Sequence, residues 1–287
     1  IDEFTSQVHY IRTVLDADKL KLGLKPGRRF VFIGGGVIGM ETAATAIEAG
    51  CSVTVLEALP GIMGRFFPTE IAEFISDYHE KKGVKLHVNA RIAQITRGTD
   101  SEINVEMTDG SCHIADELVI GIGAVPCVAL AQSMGLAVDR AIVVDQFCRT
   151  SIADVYACGD AVEFEHPTFG RIRWENWKHA KEQGKCAALN MLGTQTSYDE
   201  IPWVWSDQYD LNIQATGFHG GDQHIWRGRK EDARFSVFHL KDGVVIGVTS
   251  INDAKHKRAA QTMVKKGLKI SPEILADSAI DLKKFLQ

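Results

Sequence analysis

The segment Gly34-Gly35-Gly36-Val37-Ile38-Gly39 constrains what this chain can fold into more than any other stretch of it. An apolar run, Arg28 to Ile33, precedes it and predicts a strand; Val37 to Gly50, rich in Ala and Thr, predicts a helix; Ser52 to Glu57 predicts a second strand. Strand, glycine turn, helix and strand make one β-α-β unit, which implies a parallel sheet. The glycines fit G-x-G-x-x-G. Gly34 permits the tight turn, Gly36 lets a pyrophosphate approach the backbone, and Gly39 lets helix and strand pack closely. Free amides and the dipole at the helix start then hold phosphates. Glu57 ends the next strand 18 residues after Gly39, where a carboxylate accepts hydrogen bonds from both hydroxyls of an adenosine ribose and repels a 2′-phosphate. The expected ligand is therefore NAD rather than NADP. Val37, Ile38 and the strand end Ile122-Gly123 complete the expected NAD contacts. Arg65 is the nearby cation that bears on this choice, either by favouring a 2′-phosphate or by touching the NAD pyrophosphate or adenine. Glu41 lies in the first turn of the same helix. There it either answers the helix dipole or helps to place the nicotinamide.

A second helix is predicted at Thr69 to Lys82, with Ile71, Phe74, Ile75 and Tyr78 on its buried face, followed by strands at Val84 to Ala90, Ile103 to Met107 and Leu118 to Ile122. Residues 1–27 read as a connector, 28–124 as an NAD-binding domain and 125–199 as a separate part with a helix at Lys178 to Leu192. Residues 200–287 change character: four strand-like runs joined by glycine turns precede helices, one starting at Ser271-Pro272. The expected class is α/β, Rossmann-like, followed by an α+β domain.

The total of 287 residues, 45% hydrophobic and 24% charged, excludes disordered and fibrous classes. The longest run without a charged or strongly polar residue, Leu118 to Ala131, covers 14 residues and contains Pro126, too short for a membrane helix of roughly 20. Six cysteines form no C-x-x-C pair and ten histidines show no ligand spacing, so no metal site is expected and the thiols read as buried in a reducing cytoplasm. The formal charge of -5 divides unevenly. Residues 201–287 hold 13 Lys+Arg against 10 Asp+Glu, while residues 1–200 hold 19 against 27. That acidic total and the lack of a binding motif exclude nucleic acid as a partner. The basic C-terminal third, with Lys255, Lys257, Arg258, Lys265 and Lys266, is either a solvated face or a dock for an acidic partner.

Thr150-Ser151-Ile152-Ala153-Asp154-Val155-Tyr156-Ala157-Cys158-Gly159-Asp160 resembles the second flavin motif of the flavoprotein reductases that carry two dinucleotide-binding domains. In that family Asp160 would end a buried strand and bind the ribityl chain of FAD. Trp174-Glu175-Asn176-Trp177-Lys178-His179-Ala180-Lys181-Glu182-Gln183-Gly184 and Pro202-Trp203-Val204-Trp205-Ser206-Asp207-Gln208-Tyr209-Asp210 are similar to the ferredoxin-reductase branch. That branch comprises the reductases of aromatic-ring dioxygenases, the rubredoxin and putidaredoxin reductases and, more distantly, the apoptosis-inducing factors. The resemblance places Trp177 near the isoalloxazine and Arg12, in Tyr10-Ile11-Arg12-Thr13, against FAD. It covers residues 8–287.

The resemblance implies an NADH-dependent FAD reductase that passes electrons one at a time to a ferredoxin or rubredoxin feeding an oxygenase. The basic third is then expected to form part of the dock. A disulfide or peroxide reductase, an apoptosis-inducing-factor-like oxidoreductase and a bare NAD-binding module are the alternatives. The chain starts at Ile1-Asp2-Glu3-Phe4 without the first flavin motif of the family, so residues 125–199 are expected to supply only the later part of an FAD domain.

Overall fold

The computed structural model describes residues 6–64, 66–167, 169–253 and 257–286, Lys257 by its backbone alone. The chain forms two compact units. One runs to Gly123 and takes in Ser206–Ile213 and Lys230–Arg234; the other holds Ala124–Trp205, Gln214–Arg229 and the chain from Phe235 on.

In the first unit the order is β1 (Val8–His9), α1 (Val14–Gly23), β2 (Arg29–Ile33), α2 (Val37–Glu48), β3 (Ser52–Leu56), α3 (Thr69–Lys81), β4 (Lys85–His87), β5 (Ile92–Arg97), β6 (Ile103–Met107), β7 (Cys112–Ala115) and β8 (Glu117–Ile120). Five of these strands make a parallel sheet in the order β1-β8-β2-β3-β4. The central strand, Arg-Phe-Val-Phe-Ile, buries Phe30, Val31 and Phe32 together. That pattern belongs to a parallel sheet covered on both faces. The small residues Gly39, Ala43, Ala44 and Ala46 form the buried side of α2, while Ile71, Phe74 and Ile75 form that of α3.

The antiparallel meander β5-β6-β7 lays Ile103, Val105, Met107 and Ala115 against Val8, Val31, Leu56 and Leu118 in one core. Each fully buried aliphatic side chain there contributes roughly 1.5–3 kcal/mol. Arg29 pairs with Asp116 at 2.5 Å and Glu102 at 2.7 Å. Buried Glu117 receives Arg28 at 2.5 Å and is hydrogen-bonded to His9 at 2.9 Å, which ties the connector strand to the sheet.

The strand predicted at Val84 to Ala90 is shorter, because Asn89 takes a positive φ of 52° and turns the chain. β8 likewise stops before Gly121, whose amide donates to Ile33, and Gly123 turns away at φ 100°. Strands β5 and β7 are additional to those expected from the sequence.

The second unit contains α4 (Ala129–Ser133), β9 (Ile142–Val144), β10 (Val162–His166), β11 (Gly170–Ile172) and α5 (Trp177–Met191). Cys186 and Ala187 of α5 share a core with Val144, Val162, Phe164 and Tyr198. A five-stranded sheet follows, built from β12 (Trp203–Gln208), β13 (Leu211–Gly217), β14 (Gln223–Arg229), β15 (Arg234–Lys241) and β16 (Val244–Ile251) in the order β12-β13-β16-β15-β14. Helix α6 (Lys257–Lys266) packs on β16 and α7 (Pro272–Ala276) on β14. Buried Arg227 donates to the carbonyls of Leu275, Asp277, Ser278 and Ile280, and so fixes the segment after α7.

The thiols depart from expectation. Cys51, Cys148 and Cys186 are buried, but Cys112, Cys127 and Cys158 are exposed on loops or a strand with one face to solvent, and all six are free. Among the described residues no helix is long and apolar enough to cross a membrane, and no group of His, Cys, Asp or Glu could hold a metal ion.

His239 of β15 is buried, hydrogen-bonded through Nε2 to Thr249 at 3.0 Å, with the rings of His224 and His219 beside it at 4.9 and 6.5 Å. Burial, helped by those two neighbours, holds its pKa down to about 3. The unfolded chain binds this proton near the ordinary 6.5 and the folded chain does not. Stability is therefore fully present above about 6.5 and is lost progressively as the pH falls toward 3. In urea titrations, His239→Gln should reduce the fall in unfolding free energy by about 1 kcal/mol per pH unit between pH 6 and 4. An unchanged slope would count against the buried neutral imidazole.

Candidate functional site

The glycine turn sits at the carboxyl ends of β2 and β8, where the chain order reverses across the parallel sheet and open α/β sheets hold their ligands. Its three motif glycines meet different surroundings. Gly34 has φ 102°, and a Cβ there would collide with the carbonyl oxygen of Gly121; a Cβ on Gly39 would collide with the carbonyl oxygen of Gly34. A Cβ on Gly36 would meet nothing within 4 Å. Gly36 is the N-cap of α2 and makes no side-chain cap, so the free amides of the first turn face that open space.

Val37 is half-buried and Ile38 is 55% exposed beside it. Across the crevice Ile122 is 72% exposed and Gly123 is in the left-handed region. Glu57 follows β3 and is already held: Oε2 accepts from the Gly35 amide at 2.6 Å and Oε1 from the Leu59 amide at 2.7 Å. Gly35 therefore has a role that the motif does not announce, since a side chain there would also collide with Ile62. Arg65 lies outside the described residues.

Glu41, one turn into α2, accepts from the Ser206 hydroxyl at 2.6 Å. Burial raises its pKa, opposed by the Ser206 hydroxyl, and the nearby Asp207 carboxylate pushes the same way as burial. Ser206 and Gln208 belong to the Trp205-Ser206-Asp207-Gln208 run noted in the sequence. No local pattern connects that run to a helix 165 residues earlier.

Arg12 is exposed after β1, and its backbone amide donates to Asp16 at 3.2 Å beside the Thr13–Asp16 capping box that starts α1. In the second unit the expected strand ending at Asp160 does not form. Residues 150–161 make turns with one isolated bridge, Arg149 to Tyr156, because Asp154 (φ 61°) and Gly159 (φ 82°) cannot continue an extended chain. Asp160 is instead exposed on a turn. The preceding Gly159 amide donates at 2.7 Å to Oε1 of fully buried Gln183, a residue without any assigned role in the sequence reading.

Trp177 opens α5 and is 64% exposed, with Lys181 5.1 Å over its ring and Trp205 edge-on at 6.3 Å; Trp205 in turn stacks on Trp203 at 4.7 Å. Of the basic candidates, Arg258 is exposed, Lys265 pairs with Asp199 at 3.5 Å, and Lys266 donates to the Leu286 carbonyl. Lys255 and the side chain of Lys257 lie outside the described residues.

Residues 1–184 match the pyridine nucleotide-disulphide oxidoreductases, and residues 203–286 match the reductase C-terminal family. The chain belongs to the pyridine nucleotide-disulphide oxidoreductase family. Among members of this family, the ferredoxin–NAD(+) reductase component of the anthranilate 1,2-dioxygenase system from Burkholderia cepacia is 38% identical over 97% of this chain and 69% of its own. Rhodocoxin reductase from Rhodococcus erythropolis is 34% identical over 96% of this chain and 65% of its own. The chain thus spans about two thirds of the length of these relatives. The crystal structure of the ferredoxin reductase for the CYP199A2 system from Rhodopseudomonas palustris superposes with a TM-score of 0.93 at 34% identity, covering 97% of this chain and 70% of that one. A chain of the covalent putidaredoxin reductase–putidaredoxin complex superposes at 0.94 with 31% identity, covering 99% and 69%.

Proposed function

We propose that this chain is the NAD-binding part, the later FAD-binding part and the C-terminal domain of a cytoplasmic NADH-dependent flavoprotein reductase that delivers electrons to a ferredoxin- or rubredoxin-type protein serving an oxygenase. In this reading residues 28–124 bind NADH, residues 125–199 bind FAD with residues 1–27 as their connector, and residues 200–287 form the C-terminal domain. The observation that carries it is the crevice at β2 and β8. There the space beside Gly36 is open, the α2 amides face it, and Glu57 is anchored with one acceptor direction left on each oxygen. The kinship with reductase components of oxygenase systems supports the electron acceptor.

The residues present fit a flavin. Gln183 uses Oε1 on the Gly159 amide while its buried Nε2 has no partner among the described residues, so an acceptor is missing beside the Asp160 turn. Asp160 is exposed and suited to the ribityl hydroxyls. Bound FAD supplies the conversion of a two-electron hydride into single electrons. The chain itself binds and orients: the α2 amides hold the NADH pyrophosphate, Glu57 the adenosine ribose and Glu41 the nicotinamide end, and Trp177 offers an aromatic face to the isoalloxazine. All six thiols are free, which suits a reducing cytoplasm.

The test is NADH-driven reduction of a purified ferredoxin, coupled to cytochrome c, with FAD added. Turnover that requires both FAD and the ferredoxin is expected. NADH consumption that requires a disulfide or a peroxide instead, with no ferredoxin reduced, would replace this reading.

A further inference from the structure

We infer that Ser206, Gln208 and His79 form a positioning chain that presents Glu41 as an oriented hydrogen-bond acceptor to the nicotinamide end of NAD. The inference rests on the placement of Glu41 in the proposed function and extends it to three residues that no motif assigns.

The links are short and continuous. The Ser206 hydroxyl donates to Glu41 Oε1 at 2.6 Å, and Gln208 Nε2 donates to Ser206 Oγ at 2.8 Å and to the Met63 sulfur at 3.4 Å. Gln208 Oε1 lies 2.7 Å from His79 Nε2, and His79 Nδ1 lies 3.3 Å from the Tyr209 hydroxyl. Ser206, Gln208 and His79 are each fully buried.

The direction of the bonds follows from the chemistry. Burial lowers the pKa of His79 below its ordinary value, so at neutral pH and above its ring carries one donor and one acceptor. Gln208 Oε1 can only accept, so His79 donates from Nε2 and its Nδ1 accepts from Tyr209. Every donor in the series therefore points toward Glu41, from Tyr209 through His79, Gln208 and Ser206. A series polarised one way ends best on an anion and is weakened when that anion is protonated.

The outer end is anchored as well. Asp210 accepts from Tyr78 at 2.5 Å and pairs with Lys82 at 3.7 Å. A buried tie between hairpin and helix needs only apolar contact, whereas a buried polar series is costly unless every member is satisfied. The groups facing Glu41 are the Ser206 hydroxyl, the backbone amide of Asp207, which bonds to it, and the Asp207 carboxylate, which repels it. His79, Tyr209 and, near Tyr209, Glu48 are the titratable groups further out.

An oriented carboxylate favours the cationic ring of NAD+ and accepts from its carboxamide. NAD+ affinity should then fall on the acid side as Glu41 protonates. The Ser206 hydroxyl is one of the bonds that oppose this protonation. Its removal in Ser206→Ala, or loss of its support in Gln208→Leu, should move that midpoint to higher pH by on the order of 1 unit.

The experiment is calorimetric titration of NAD+ and, separately, ADP-ribose from pH 5 to 9 into the parent, Ser206→Ala, Ser206→Thr, Gln208→Leu and Glu41→Gln. The expected result is a midpoint shift for NAD+ in Ser206→Ala and Gln208→Leu, its restoration in Ser206→Thr, its absence in Glu41→Gln, and unchanged ADP-ribose binding throughout. A parental midpoint in a folded Ser206→Ala chain, with Glu41→Gln altered, would overturn the positioning chain alone. Equal loss of ADP-ribose and NAD+ binding would reduce these residues to structural support. Parental NAD+ binding by Glu41→Gln would remove Glu41 from the nicotinamide site, and the inference with it.

Discussion

Gly36→Val should fold with the parental melting temperature and lose NAD+ affinity by on the order of 100-fold, about 2.7 kcal/mol. The two halves of that expectation have separate grounds. Gly36 has φ −73° and ψ 179°, extended backbone that any residue adopts, and a side chain there begins in open space. Folding therefore asks nothing of Gly36, and the gain from a stiffer unfolded chain roughly offsets a poorer N-cap. The same open space is where the α2 amides point, and a branched side chain would displace a pyrophosphate from them. Gly36→Ala should fall between the two. Gly34→Ala and Gly39→Ala are the contrast. Their methyl groups would strike backbone oxygens, so they should lower the melting temperature as well as the affinity. Calorimetric NAD+ binding with parallel thermal melts checks all four. A Gly36→Val chain that binds NAD+ like the parent would move the pyrophosphate away from this turn.

The contrast among the glycines also shows what the residues announced and what they withheld. The first β-α-β unit was legible because strand, turn and helix are encoded in neighbouring residues: the Phe30–Phe32 run, the spaced glycines, the alanine face of α2. Four of the five C-terminal strands were legible for the same reason, each adjoining a Gly-Gly-Asp or Lys-Asp-Gly turn; β12, which lies between Pro202 and the Tyr209-Asp210 turn without a glycine, was not. The strand expected to end at Asp160 was not legible because Val155-Tyr156-Ala157 looks extended, while positive φ angles at Asp154 and Gly159 break the run on either side. The partners of Glu41 were out of reach in principle. Ser206 lies 165 residues away, and only the folded hairpin at Ser206–Ile213, which clusters with the first unit, brings them together. Gly35 was hidden for a subtler reason: its contribution is a backbone amide, which every residue but proline has.

The second large effect concerns the choice of dinucleotide. Glu57→Ala should lower NAD+ affinity by on the order of 100-fold, raise the weak NADP+ affinity by on the order of 10-fold as the repulsion is lifted, and so remove most of the preference between them. Glu57 is fixed before any ligand arrives, because the Gly35 and Leu59 amides each occupy one of its oxygens. What remains is one acceptor direction per oxygen, which suits the two ribose hydroxyls and leaves no donor for a phosphate. A 2′-phosphate would bring up to two further negative charges to this carboxylate. At about 4 Å and an effective dielectric near 20, each repels it by about 4 kcal/mol before salt screening. The preference to be lost is therefore on the order of 1,000-fold or more. Glu57→Gln separates charge from shape. It keeps the outline, but its amide nitrogen must face the Gly35 or Leu59 N–H, leaving that donor unpaired at about 1–3 kcal/mol. This variant should lower the melting temperature of the ligand-free protein while it weakens discrimination. Paired titrations of NAD+ and NADP+ at fixed ionic strength read both effects. An unchanged ratio in Glu57→Ala would shift the source of the preference to another residue, with Arg65→Ala the next variant to titrate.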